Sequence, residues 1–184
     1  PANGQATILA GTRLGDIGGP LAEHGMAMIN MPDIDKQSLA GALGTATHGT
    51  GATLGCLSSN VTELELVTAT GDLLTCNEEK NSDIFNAARV NLGALGVVSQ
   101  ITLETQAAYR LRRETEWMPI EDILADVENL AENNRNFEFY YIPFSGMGFT
   151  YVHNITTDAE SRPEELDPNS AAKTLMSARD ALSW

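Results

Sequence analysis

The stretch Ser38–Gly51, SLAGALGTATHGTG, constrains this chain more than any other segment. Its fourteen positions hold four glycines, four hydroxyl residues and one histidine, with no aspartate, glutamate, lysine or arginine. A run so short of bulk cannot fill a core by itself. Its small side chains instead let main chain lie close to a flat neighbour. Ser38 is a good N-cap, and Leu39–Ala46 reads as a short helix behind it. A helix N-terminus, exposed amides and short hydroxyls together suit ring carbonyls, a hydroxylated chain or phosphates. Composition alone leaves a plain structural turn open beside a binding loop.

Several other chemistries are poorly supported. A dinucleotide loop needs G-x-G-x-x-G between a strand and a helix; Gly49–Gly55 has one residue too many and precedes no helix. A phosphate-binding P-loop needs Gly-Lys-Ser/Thr, and Lys36, Lys80 and Lys173 all lack the preceding glycine. His24, His48 and His153 have no partner at metal-ligand spacing, and no G-x-S-x-G is present. Cys56 and Cys76 read as small apolar residues in a reducing compartment. The net charge of -14, from 25 acids and 11 bases, repels a phosphate backbone, so nucleic acid is not an expected partner. The apolar runs are too short for a membrane span, which takes about 20 residues. With no secretory pattern at the start, the expected location is cytoplasmic, with peripheral membrane association left open. The chain opens without Met on a strand-like ATILA, so an upstream part is expected.

Periodicity predicts a strand at Ala6–Gly11, a helix at Leu14–His24 ending on Gly25, and a short strand at Ala27–Met31. Val61–Ala69 and Leu73–Cys76 flank Thr70-Gly71-Asp72 as a hairpin. A helix at Asp83–Val90, a turn at Gly93–Gly96 and a strand at Val97–Thr105 follow. After Tyr109 comes a basic run, Arg110-Leu111-Arg112-Arg113, with Arg89, Arg110 and Arg112 read as surface charges. Pro119 is placed to open a helix carrying the stripe Ile120, Ile123, Leu124, Val127 and Leu130. Two aromatic strands, Phe137–Pro143 and Phe149–Ile155, surround Ser145-Gly146. Thr156–Asn169 reads as a polar loop and Ala171–Trp184 as helical. Hairpins outnumber regular strand-helix-strand units, so the expected class is α+β with an antiparallel sheet flanked by helices.

The form S-x-A-G-A-x-x-T-x-T-H-G-T-G resembles the second FAD-contact segment of the vanillyl-alcohol-oxidase, or PCMH-type, flavoproteins. It is closest to the branch of D-arabinono-1,4-lactone and L-gulono-1,4-lactone oxidases. Ala10-Gly-Thr-Arg-Leu, Gly25-Met-Ala-Met-Ile-Asn-Met, Asp33-Ile-Asp-Lys-Gln and Leu92-Gly-Ala-Leu-Gly-Val-Val98 resemble the same group, in its order. The resemblance implies that residues 1–107 are the C-terminal part of an FAD-binding domain and 108–184 the incomplete start of a substrate-binding cap.

It also implies FAD contacts. Ser38 and its neighbour Gly41 would meet the isoalloxazine edge. Leu43, Ala46, Thr47, His48 and Gly49, with Thr50 and Gly51, would follow the ribityl and pyrophosphate region. Gly93 and the backbone at Val97 and Val98 would meet the adenosine end. His48 would orient groups rather than carry the flavin covalently. The family's catalytic Glu, Arg and Lys are expected past Trp184, so this chain alone is expected to be inactive and its catalytic residues stay unassigned. The implied reaction is FAD-dependent oxidation of a sugar lactone or polyol, with oxygen or a cytochrome as acceptor. An alditol oxidase, or a non-catalytic fragment binding through its acidic surface, remains open.

Overall fold

Alternating apolar residues build the first sheet. In the computed structural model, which describes residues 4–159, the chain divides into two units, Pro1–Tyr109 and Arg110–Trp184. In the first unit β1 (Gln5–Leu9), β2 (Met26–Met28), β3 (Val61–Val67), β4 (Leu73–Asn77) and β5 (Val97–Ala107) form one antiparallel sheet. The order is β1-β5-β3-β4, with β2 paired to the far end of β5. The expected α+β class with antiparallel pairing is the one observed.

One row of side chains crosses four strands: Ile8, Ile101, Leu64 and Cys76. It points into the core, where Ile101, Leu64 and Cys76 are buried. The next row, Thr7, Thr102, Glu63 and Asn77, lies on the opposite face. There Thr7 and Thr102 hydroxyls meet at 2.9 Å, and Asn77 Nδ2 donates to Glu63 Oε2 at 2.8 Å. A period of two separates the rows, and each buried Leu or Ile contributes about 1.5–3 kcal/mol.

The expected helix at Leu14–His24 is instead two pieces, a 3-10 turn at Leu14–Asp16 and α1 (Gly18–Glu23). Pro20 explains the break: lacking an N–H and crowding the carbonyl four residues back, it belongs in a first turn. Gly18 and Gly19 also weaken any continuous helix through that point. Leu14, Ile17 and Leu21 still reach the core. α2 (Leu39–Gly44) and α3 (Ser82–Ala88) complete the unit, and Phe85 of α3 is among its most buried side chains.

The second unit is a three-stranded antiparallel sheet, β6 (Arg110–Pro119), β7 (Asn136–Ile142) and β8 (Met147–Thr156), in the order β6-β8-β7. α4 (Ile120–Asn133) packs on it through the fully buried Ile123. A row of rings crosses this sheet: Trp117 and Tyr140 each lie 4.9 Å from Phe149, centroid to centroid. The Arg113 guanidinium sits 3.9 Å from the Tyr151 ring centre. Pro119 is the N-cap of α4 rather than its first residue, a one-position difference of the kind helix ends commonly show. β6 was not expected; nearly all its residues are exposed, so no apolar alternation marks it in the sequence. Arg110 and Arg112 hold Asp158, and Arg89 lies over the Phe85 ring. Those contacts give these arginines a structural part. The expected helix at Ala171–Trp184, and the loop before it beyond Ala159, lie outside the described residues. Among the described residues no helix is long and apolar enough to cross a membrane.

Candidate functional site

The run Ser38–Gly51 is half anchored and half open. Leu39, Ala42 and Leu43, at helical spacing, are buried in the core of the first unit. Gly41, Thr45 and His48 are exposed, and Ser38, Ala46, Thr47, Gly49, Thr50 and Gly51 are half-buried. Leu43 is 5% exposed, so its side chain belongs to the core rather than to a ligand.

The first turn of α2 is held by the protein itself. Leu39 N–H donates to the Thr12 carbonyl at 2.8 Å and Ala40 N–H to the Ala10 carbonyl at 2.9 Å. Gly41 N–H donates to Ser38 Oγ at 3.3 Å, and Ala42 N–H to the Ser38 carbonyl at 2.9 Å. The Ala42 bond is the first one within the helix; the three amides before it, those of Leu39, Ala40 and Gly41, which a helix start normally leaves unmatched, are used inside the chain. The expectation that this helix end offers free amides to phosphates is corrected by these bonds. Replacing Ser38 with alanine removes one of them and is expected to destabilise the first unit by about 1 kcal/mol, read by urea denaturation. An unchanged midpoint would remove the capping role.

What faces outward is hydroxyl-rich. Thr45 Oγ donates to the Gly41 carbonyl at 3.0 Å and lies 3.4 Å from Thr47 Oγ, to which Gln37 Nε2 donates at 3.5 Å. Ala46 turns the chain through a left-handed φ of 55°. His48 Nδ1 lies 2.9 Å from the Gly49 carbonyl, which can only accept, so that nitrogen carries the proton. Beyond the loop, Leu57 N–H donates to the Thr47 carbonyl at 3.0 Å. The neighbouring Cys56 thiol is drawn below its ordinary pKa by the Ser58 and then the Ser59 hydroxyl, whereas burial pushes the Cys76 thiol up. Both cysteines are free.

The fold brings a second segment to the end of α2, midway along this run. Leu92 N–H donates to the Gly44 carbonyl at 3.2 Å, which seats the Leu92–Val98 block beside the C-terminus of α2. Leu92 is 78% exposed at a left-handed φ of 52°, and Val97 is 69% exposed. Gly93 is exposed, and its N–H donates to Asn91 Oδ1 at 2.5 Å. Val98 is half-buried and packs against the core. Ser38 stands at the opposite end of the short helix.

Two residues of this region escaped the sequence reading. Asn30 is buried and touches the Gly49–Thr50 loop; a lone amide between apolar neighbours is the signal that marks it. Gly96 presses against the Val67 carbonyl, a contact with no trace in the sequence.

A separate cavity of about 540 Å³ opens beside β1 and α1, lined by Ala6, Ile8, Ile17, Leu21, Met26 and His24 among others. None of the sequence-derived candidates lines it. Its lining is mainly apolar, with Thr7, Thr12, Thr102 and Asp16 at its border.

Residues 1–77 match the FAD binding domain family. The chain is 38% identical over 160 residues to an L-gulono-1,4-lactone dehydrogenase of Mycobacterium tuberculosis, covering 87% of this chain and 36% of that protein. It is 34% identical over 141 residues to an L-gulonolactone oxidase of Bos taurus, covering 77% of this chain and 32% of the relative. The chain thus spans about a third of the length of these relatives. A cholesterol oxidase structure from Brevibacterium sterolicum superposes with a TM-score of 0.78 at 22% identity, over 99% of this chain and 40% of the other, which establishes likeness of fold. The antiparallel α+β framework, the hydroxyl-rich run on its surface and the sequence match converge on residues 1–77, the stretch that is similar to the FAD binding domain family and that holds the whole of Ser38–Gly51.

Proposed function

We propose that this chain supplies part of the FAD site of an oxidoreductase acting on a sugar-1,4-lactone. The observation that carries the reading is the family match over residues 1–77, which includes the whole of Ser38–Gly51. The relatives' names, a lactone dehydrogenase and a lactone oxidase, support the substrate class.

The residues fit the cofactor by their chemistry. The open side of Ser38–Gly51 offers small side chains, the Thr45 and Thr47 hydroxyls and the exposed His48 ring. In this reading Ser38 and Gly41 hold the flavin ring edge, and Ala46, Thr47, His48, Gly49, Thr50, Gly51 and the Leu43 main chain hold the ribityl and pyrophosphate part. Gly93, Val97 and Val98 hold the adenosine end. Close approach needs residues without bulk, and ring carbonyls and amides need polar partners. When bound, FAD supplies the redox chemistry, accepting hydride at N5 from a hydroxyl-bearing carbon and passing electrons to oxygen or another acceptor. The chain's own share is binding and orientation. The first unit is then part of the FAD-binding domain and the second the start of a substrate-binding cap. Alone, the chain does not turn over a lactone.

The test is an FAD titration of the purified 184-residue chain, followed by lactone addition to the longer protein that contains it. We expect saturable quenching of flavin fluorescence by the chain, and bleaching of the flavin absorbance by L-gulono-1,4-lactone in the longer protein. A longer protein that binds no flavin would overturn the reading and favour an acidic binding fragment. One that binds flavin but responds to polyols and not to lactones would make it an alditol oxidase.

A further inference from the structure

Asn30 is a polar side chain sealed between Ile29 and Met31, with 4% of its surface exposed. Its carboxamide serves two segments. Nδ2 donates to the Thr50 carbonyl at 3.0 Å, and Oδ1 accepts the Met31 N–H at 3.1 Å. The reversed amide would set oxygen against oxygen and NH2 against N–H, so both bonds fix its orientation. The neighbouring Gly49 comes so close that an added methyl would stand 2.9 and 3.0 Å from the same two amide atoms.

The other side of this contact is firmly held. β2 is paired to β5 through Met26, Ala27 and Met28, and the Tyr109 hydroxyl donates to the Met28 carbonyl at 3.1 Å. Residues 28–31 are therefore a strap tied to the sheet. On the loop side, the His48 ring bonds its own neighbour's carbonyl, a contact that moves with the loop. Thr47 is held from the helix side, by its N–H to the Ala42 carbonyl at 2.9 Å. Past Thr47, the Asn30 amide is a side chain that reaches across twenty positions to fix the main chain.

We infer that Asn30 is a positioning residue: through the Thr50 carbonyl it holds the main chain of His48–Gly51 in the place where it meets FAD. The inference rests on the flavin reading above. Asn30 itself stays buried; its effect reaches a ligand only through the loop.

The test compares the chain with Asn30→Asp, which keeps shape and acceptor but sets a carboxylate oxygen against the Thr50 carbonyl. Losing a buried hydrogen bond of this kind is expected to weaken FAD binding about tenfold. It is also expected to speed amide hydrogen exchange at residues 48–51 while leaving β3 and β5 unchanged. A residue that merely stabilises the fold would instead speed exchange through the whole sheet. Should the buried carboxylate unfold the chain, Asn30→Ser, uncharged and too short to span to Thr50, is expected to show the same local pattern. Loop exchange equal to that of the parent chain, or exchange raised equally in β3 and β5, would overturn the inference. If the longer protein that contains this chain binds no FAD, the flavin reading fails, and the exchange comparison still decides whether Asn30 holds the loop.

Discussion

Replacing Gly49 by alanine is expected to lower stability and FAD binding together. The new methyl would sit 2.3 Å from the Met31 carbonyl oxygen, far inside contact distance, and Met31 cannot yield without moving the strap. Forcing a group into such a site costs roughly 1–3 kcal/mol, occasionally more. The expected readouts are a lower urea midpoint for the first unit and a loop that no longer presents Thr47–Gly51 to the cofactor. The sequence reading gave the smallness of Gly49 to a close approach by flavin. In the structure the atoms that forbid a side chain there are the protein's own, so the alanine variant acts through the loop's seat. An unchanged midpoint would show that the Met31 contact yields at no cost and would return the argument to the ligand.

Gly96→Ala is expected to have the larger effect on folding. Gly96 holds a φ of 140°, and an added methyl would lie 2.3 Å from the Val67 oxygen and 3.3 Å from Leu66 Cδ1. Backbone strain of this kind costs about 1–3 kcal/mol, and the clash adds an amount of similar order. Gly96 directly precedes Val97, where β5 meets the last residue of β3, so the damage falls where the central strands join. With a shift of about 4–8 °C per kcal/mol for a domain of this size, a melting temperature lower by more than about 10 °C is expected by circular dichroism. A variant melting within about 2 °C of the parent would contradict it, since that is less than 1 kcal/mol on the same scale.

Much of the framework was legible beforehand. The alternation around Leu64 and Leu66, closed by Thr70-Gly71-Asp72, specifies a hairpin because only one register puts both leucines in the core. The stripe from Ile120 to Leu130 specifies α4 for the same reason at a helical period. β6 escaped because its ten residues are pinned by pairing with β8 rather than by burial of their own. The break near Ile17 was readable from Gly18-Gly19-Pro20 but was outweighed by the apolar spacing across it.

The candidate site divides along the same line. That Ser38–Gly51 caps a helix, buries Leu39 and Leu43 and leaves small groups facing out follows from its residues alone, because N-capping and helical spacing are local properties. That the helix start is consumed by Ala10 and Thr12, that Leu92 docks on Gly44, and that Asn30 grips Thr50 depend on which distant segments the sheet brings alongside. A glycine or a lone asparagine looks the same in sequence whether a cofactor or another stretch of main chain lies against it. Only the packed chain decides which, because the distances that distinguish them exist only after β1, β2 and β5 have paired.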